Sequence, residues 1–475
     1  MERAKKPRVI ELVQCLGLAI PLSAVGKLAR ELRHHDTDED IPLNNVPKAV
    51  LNYISSIETP FGALVKHLQL PLQEGGYLDW PICCPFALLY FMCGKSFAFG
   101  TLLRNHITSG VANIVVWADE TTSGNQLRAD MKRTFLSLYW SIADLPDFFK
   151  CSDHGWWPIG ILSHDSTKSV AGEVSGIMKH VLRFMFMGQN NFATGIVLNL
   201  CGATTTIKGR LAAVLQDEKG HKQVGSVKGA AGTKCCLMCK NVVSTDISKV
   251  QNDSYCVHVT SPDVSKFILH DDASFWEMCD ELVERSTTQR PTEFALSQQI
   301  FGVRYDKDAL PFDVPLRRFY KPVSSVYWDW MHVYLTSSGV MQYHMNEMCL
   351  DIQEHTTLTM AALDGMMNRF IAFNKSQLRS LGEHFLEGHV VQTRGKHMKG
   401  FAGDMVTVLC FLFWFCTRYL LPEGKLVEQC RAISLAHEII ALLRTGDAAV
   451  RKSDELRNLN NATIGHCGIC TPSAY

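Results

Sequence analysis

The sequence predicts a mixed α/β fold: a mixed sheet flanked by helices, joined to a largely helical insertion. Three observations predict it. Between residues 111 and 200, compact apolar runs of strand length alternate with turn-prone stretches. One stretch in that region has the spacing of an amphipathic helix. From Trp328 onward the apolar spacing turns predominantly helical.

The first strand candidate is Ala112–Trp117, which leads into Asp119 before the turn-prone Ser123-Gly124-Asn125. Phe135–Ile142 and Trp156–Leu162 give a second and a third. Val170–Met187 reads as a helix, with Val170, Val174, Ile177, Val181, Leu182 and Met185 sharing a face; Gly172 and Gly176 lie inside it and weaken its propensity. Phe192–Leu200 follows as a further strand. Strand, strand, strand, helix, strand is the opening order of an RNase H-like domain, in which three antiparallel strands precede a helix and a parallel fourth strand.

On either side the pattern differs. Residues 1–41 end in the charged stretch Arg30–Asp40, a linker by composition, and Lys5-Lys6-Pro7-Arg8 forms a short basic cluster of the kind used for nuclear import. From Ile41 to about Ile107 the spacing is helical, broken by Pro60, Gly75-Gly76 and Pro81. Beyond Cys239 the chain is mixed and polar to about Arg317. The helical region then closes near Leu443, with Gly446 as its stop.

Composition bounds the function. The chain has 475 residues, 47% hydrophobic and 20% charged, which fits two or three domains with a substantial core. Lys and Arg total 47 and Asp and Glu total 47, so no global field draws the chain to nucleic acid. DNA binding must then rest on a local basic surface or on metal ions. The 17 cysteines, many in apolar runs such as Cys83, Cys84, Cys410 and Cys416, read as reduced intracellular thiols. Met405–Leu421 is nearly all apolar but short for a membrane span and interrupted by Arg418, so a buried core helix is expected there.

Three constellations could carry chemistry. Asp119 ends an apolar strand, where a carboxylate is held rigidly enough to ligate a metal; a turn-opening aspartate is the plain alternative. Gln216-Asp217-Glu218-Lys219 pairs acids beside a lysine, which on a helix is usually a solvated face. Cys236-x-x-Cys239 has the spacing of a zinc knuckle, with Gly225, Gly229 and Gly232 just ahead. It needs two more ligands: His332 is the candidate third, with Asp329 or another cysteine also open. Cys467-x-x-Cys470 with His466 is a rival pair. The glycines form no P-loop, because Gly-Lys-Ser/Thr is absent.

Asp119-Glu-Thr-Thr-Ser-Gly-Asn125, Gln216-Asp-Glu-Lys219, Lys228-Gly-Ala-Ala-Gly-Thr-Lys-Cys-Cys-Leu-Met-Cys-Lys-Asn241 and Asp329-Trp-Met-His332 together resemble the CACTA (En/Spm-type) DDE transposases, over about residues 110–445. The resemblance implies an RNase H-like catalytic region that cleaves and joins DNA strands in the nucleus. It places the first two catalytic acids at Asp119 and Asp217, with Mg²⁺ or Mn²⁺ between them, and puts Cys236, Cys239 and His332 in or near an insertion carrying structural zinc. The family's third acid is a glutamate on a late helix. Glu347, Glu354, Glu383 and Glu387 are available, whereas Asp404, in Gly400-Phe-Ala-Gly-Asp404, stands where the glutamate is expected. His384, His389 and His397 read as structural or solvent-facing.

The expected organisation is therefore a basic segment and linker (1–41), a helical N-terminal subdomain (42–110), an RNase H-like core (111–235), a zinc-binding insertion (236–345), a helical C-terminal part with the third acid (346–446) and a tail (447–475). DNA is the expected partner, with self-association and no membrane. The alternatives are a catalytically inactive, transposase-derived DNA-binding protein and a zinc-stabilised interaction protein.

Overall fold

The computed structural model describes residues 54–122, 134–244, 255–336, 339–375 and 378–444. The basic cluster Lys5–Arg8, the linker at 30–40, Ser123-Gly124-Asn125, Gly446 and the His466/Cys467/Cys470 group lie outside the described residues. The chain divides into two compact units: Met1–Met238 with His270–Tyr327, and Cys239–Leu269 with Trp328–Tyr475.

After a two-residue antiparallel ladder, Glu58–Thr59 with Gly62–Ala63, the first unit forms a hairpin, β1 (Val65–Pro71) against β2 (Tyr77–Cys83), antiparallel from Val65↔Cys83 to Pro71↔Tyr77. Gly75 (φ +94°) and Gly76 (φ +80°) supply its turn. This corrects the expectation of a helical subdomain at 42–110 over these residues. Leu70, Trp80 and Ile82 are buried while His67, Gln69 and Asp79 stay outside, a period of two that suits a strand. Among the described residues of this stretch, the longer helices are α1 (Pro85–Lys95) and α2 (Phe97–His106). Hairpin and helices bury Trp80, Phe86 and Leu103 in the same cluster as the sheet, so they share one core with it.

The main sheet has six strands: β3 (Val111–Thr122), β4 (Thr134–Ile142), β5 (Trp157–Ser163), β6 (Ile196–Leu200), β7 (Ala203–Gln216) and β8 (Val326–Trp328). Its spatial order is β8-β7-β3-β4-β5, with β6 paired to β7. β3, β4 and β5 are antiparallel neighbours, and β7 runs parallel to β3. The expected parallel strand at 192–200 is corrected: β6 is the antiparallel hairpin partner of β7, and β7 is the strand beside β3. Cys201 (φ +56°) and Gly202 (φ +86°) make the two-residue turn between them. The outer residues of β7 are polar (Thr204, Thr206, Lys208, Arg210), which hides it from a search for apolar runs.

One face of this sheet is covered by α3 (Glu173–Met187); five of the six residues assigned to the helix's apolar face lie on it and are buried in the shared cluster, while Val170, also buried there, precedes the helix and bridges to Leu72. The helix starts after Gly172 (φ +76°). Gly176 is required by close approach: a Cβ there would sit 1.9 Å from the Ala171 carbonyl oxygen. After β7 comes the short α4 (Glu218–Val224). Residues 272–301, expected to be mixed and polar, form α5 (Asp272–Thr288) and α6 (Pro291–Phe301), started by an Asp271 cap and by Pro291. They bury Phe275, Met278 and Leu282 with Leu237 and Val303 in a smaller cluster.

The second unit is helical, as its spacing predicts: α7 (Val340–His355), α8 (Met360–Phe373), α9 (Ala402–Phe415) and α10 (Val427–Arg444). Its core is rich in methionine (Met341, Met345, Met348, Met367, Met405), a side chain that fills irregular gaps between helices. α9 continues through a turn of π-helix at Cys416–Leu420. The whole run Ala402–Glu423 is long and apolar enough to cross a membrane, yet half of its most apolar window is buried. Val408, Leu409, Phe411, Leu412 and Phe415 pack in the core of this unit, so α9 is its central helix. The described residues of 239–269 gather around Asn241, which bonds Tyr255, Lys266 and Ile268 and leads into a two-residue parallel ladder, Val242–Val243 with Val257–His258.

Candidate active site

Asp119 lies on β3 opposite Ser137 of β4. Asp217 directly follows β7 and caps α4. The parallel register of the two strands ends with Trp117 opposite Leu215, and two residues further on stand Asp119 and Asp217. A step of two keeps a side chain on the same face, and paired residues of parallel strands face the same way. Asp217 still has an extended backbone (φ −75°, ψ 177°), so the alternation reaches it. The two aspartates therefore share one face at the carboxyl ends of strands about 4.8 Å apart. Carboxyl ends of parallel strands are where α/β sheets commonly place their ligand sites.

A β-bulge sets this match. Ile114 pairs with Leu211 but Val115 with Ala213, leaving Ala212 as the extra residue. Without it Asp119 would stand beside Gln216, and Asp217 would turn to the covered side. Burial records the switch, because the covered positions run Ile207, Gly209, Leu211 and then Val214, Gln216. Gln216 is consequently 0% exposed, and neither polar atom of its amide has a partner.

Asp217 is held firmly. One carboxylate oxygen accepts the Gly220 N–H at 2.6 Å, which fixes the side chain and leaves the second oxygen for other work. Glu218, its neighbour, is an exposed partner of Lys222, the solvated pair expected of such a run. Lys219 reaches back to Glu120 at 2.5 Å, and Gln223 reaches the same carboxylate at 3.0 Å. Burial raises the pKa of Glu120, but the bonds from Lys219 and Gln223 outweigh it and hold the group below its ordinary value. That pairing ties α4 to β3. His221 is buried and meets the Tyr327 carbonyl at 2.9 Å, which fastens α4 to β8.

Beside Asp119 on the same face, Trp117 stacks on Tyr139 with centroids 5.5 Å apart, and Trp156 meets Trp117 edge-on at 5.9 Å. This aromatic wall lowers the local dielectric next to the acid pair, which strengthens any charge interaction there.

The remaining expected site residues fall elsewhere in the chain. Asp404 belongs to the second unit, in the first turn of α9, and is 7% exposed. Its carboxylate accepts the Phe401 N–H at 3.3 Å and faces Arg379 at 3.3 Å. Glu347, Asp351 and Glu354 converge on Arg394. Asp351, Glu354 and His355 also bring ligand atoms within 4.8 Å of one another, a grouping the sequence reading missed although all three share one helix. Arg394 already answers that charge, which makes the cluster an ion-pair network. Glu387 pairs with His384, and His389 stacks on Phe385.

Cys236 accepts the Met238 N–H on sulfur at 3.3 Å, a bond that shapes a tight Cys-x-x-Cys turn. Cys239 is 7% exposed. Cys256, which sequence reasoning passed over, precedes Val257, whose N–H bonds the Asn241 carbonyl two residues beyond Cys239. His332 is hydrogen-bonded through Nδ1 to Asp329 at 2.6 Å, leaving Nε2 as its outward donor or ligand atom.

No family model matches this chain, and no curated protein matches it.

Proposed function

We propose that this chain is a DDE-type transposase-like protein of the CACTA kind, with an RNase H-like catalytic core acting on DNA phosphodiesters. The observation that carries the reading is the alignment of Asp119 with Asp217 across neighbouring parallel strands. The order of the sheet supports it too: three antiparallel strands and a helix come first, and after the antiparallel hairpin strand β6 a parallel strand, β7, pairs on the other side of β3.

In this reading Asp119 and Asp217 are the first two catalytic acids, and both are positioned by strands rather than loops. Two carboxylates, one with an oxygen left over from its cap, suit a hard divalent ion such as Mg²⁺ or Mn²⁺. When bound, such ions activate the attacking oxygen and stabilise the leaving one. The chain's own contribution is placement. The Gly220 N–H orients Asp217, the bulge at Ala212 turns it toward Asp119, and the Trp117–Tyr139–Trp156 wall keeps water from one side. Asp404 is the third acid of the proposal, a buried carboxylate on a helix whose partner is the exposed Arg379. Structural zinc at Cys236 and Cys239, with His332 as a further ligand, belongs to the same proposal; its support is the ligand spacing and the N–H donated to Cys236 sulfur.

A second reading, an inactive DNA-binding relative, is favoured by Asp404, whose carboxylate is already answered by Arg379 and the Phe401 N–H. One assay separates them. Supercoiled plasmid is incubated with the protein in Mg²⁺ or Mn²⁺, and nicking is followed on gels. The proposal expects nicking by the parent, with losses on the order of a hundredfold or more in Asp119→Asn and Asp217→Asn at unchanged circular dichroism. Plasmid binding without nicking selects the inactive reading. Nicking untouched by either substitution removes both acids from the chemistry.

A further inference from the structure

The second unit carries an aromatic cleft that the acid pair does not use. Phe370 and Phe373 of α8 and Asn374 beyond it face Trp414 of α9 and Tyr419 of the π-turn, around a cavity of about 440 Å³. That volume falls in the range of clefts that take a small planar ligand. Phe370 and Trp414 lie with ring centroids 5.1 Å apart, and Tyr419 meets Trp414 edge-on at 5.3 Å. Phe373 is 91% exposed, an unusual position for a phenylalanine at the lip of a cleft.

Charge says what class of ligand suits it. Arg369 lines the cleft, Arg418 adjoins Tyr419 in the chain, and Lys375 follows Asn374. Among the described residues none of these three cations has an ion-pair or hydrogen-bonded partner. An aromatic cleft lined by the uncompensated Arg369 disfavours cationic ligands and suits a flat ring joined to an anion. An unpaired nucleotide has that chemistry, with a base to stack and a phosphate for the arginine. A duplex does not, because its bases are already stacked on one another.

We propose that the cleft formed by Phe370, Phe373, Trp414 and Tyr419, with Arg369 at its edge, binds an unpaired base of single-stranded nucleic acid and its adjoining phosphate. The inference goes beyond the acid pair and does not rest on it, since stacking needs no divalent ion. Binding is therefore measured in EDTA, by fluorescence anisotropy of a labelled oligothymidylate of about 15 nucleotides, with the blunt duplex of equal length and inorganic polyphosphate as competitors. The result expected is binding of the single strand that quenches tryptophan fluorescence and that duplex and polyphosphate displace poorly. Phe373→Ala, at an exposed position that leaves the core untouched, weakens binding by about tenfold, the loss of one stacked base. Arg369→Gln lowers the slope of log affinity against log salt by roughly 0.7, the loss of one phosphate contact. A parent protein that does not bind the oligonucleotide, displacement by polyphosphate as readily as by oligonucleotide, or affinity unchanged in both variants would overturn the proposal. Loss of plasmid nicking in the acid variants would leave it standing.

Discussion

Asp119 and Asp217 are brought to the same face of the sheet by one inserted residue, Ala212, in the strand that leads into the second of them. The bulge shifts the pairing of β3 and β7 by one position, and a shift of one exchanges the two faces for every residue after it. The acid pair is thus a property of strand register.

Asp217 has two tasks that substitution can separate. Asn keeps an oxygen for the Gly220 N–H, whereas Ala loses it. Both variants are expected to lose metal-dependent nicking. Only Asp217→Ala is expected to lose stability, by about 1 kcal/mol, the usual value of a helix N-cap. Urea unfolding of the two proteins checks this; equal destabilisation by both would mean that the cap does not act through that oxygen.

Gln216 should be better replaced by an apolar residue. Its amide is buried with no partner, a state that costs about 1–3 kcal/mol. Gln216→Met keeps the volume and removes the orphaned atoms, so the urea midpoint is expected to rise at unchanged slope. A lower midpoint would show that the amide is satisfied in solution.

Acid should weaken the fold well before the carboxylates titrate. Burial, reinforced by Lys179 and Arg183, pushes His180 down to about 4, and burial also lowers His221, His344 and His437. These imidazoles are neutral when folded and gain protons near pH 6.5 when unfolded. The contribution of His180 is complete above about 6.5 and is lost as pH falls from there toward about 4, and the other three also lose theirs as pH falls below about 6.5. His180→Gln is expected to flatten that decline, measured as unfolding free energy between about pH 7 and about pH 5. A slope identical to the parent's would exclude His180.

Zinc, if the cysteine pair binds it, should depend on both thiols. Elemental analysis of the purified chain is expected to give about one zinc, lost in Cys236→Ser and in Cys239→Ser and retained in Asp119→Asn. A parent free of zinc ends that part of the proposal.

Much of this was legible in the sequence. Strands β4 and β5 are legible to within one residue because their apolar runs are compact; β3 is legible at its start only, since it runs on through polar residues to Thr122, and the inner face of α3 is legible from Val174 onward in its spacing. β7 escaped because half its length alternates with threonine, lysine and arginine. The hairpin β1–β2 is hidden because Pro81 and the glycine pair read as breaks between helices, whereas the glycines make the hairpin's own turn. Asp119 and Asp217 were named from sequence, but Cys256 and the Arg394 cluster came to notice only once their surroundings were folded.

The chain by itself determined its elements and the residue types able to hold a metal, because side-chain periodicity and turn chemistry are local. Which acids face one another was decided only by the tertiary structure. Partnership across β3 and β7 depends on a register set by a single bulge, and no local pattern in either strand encodes the alignment of the other.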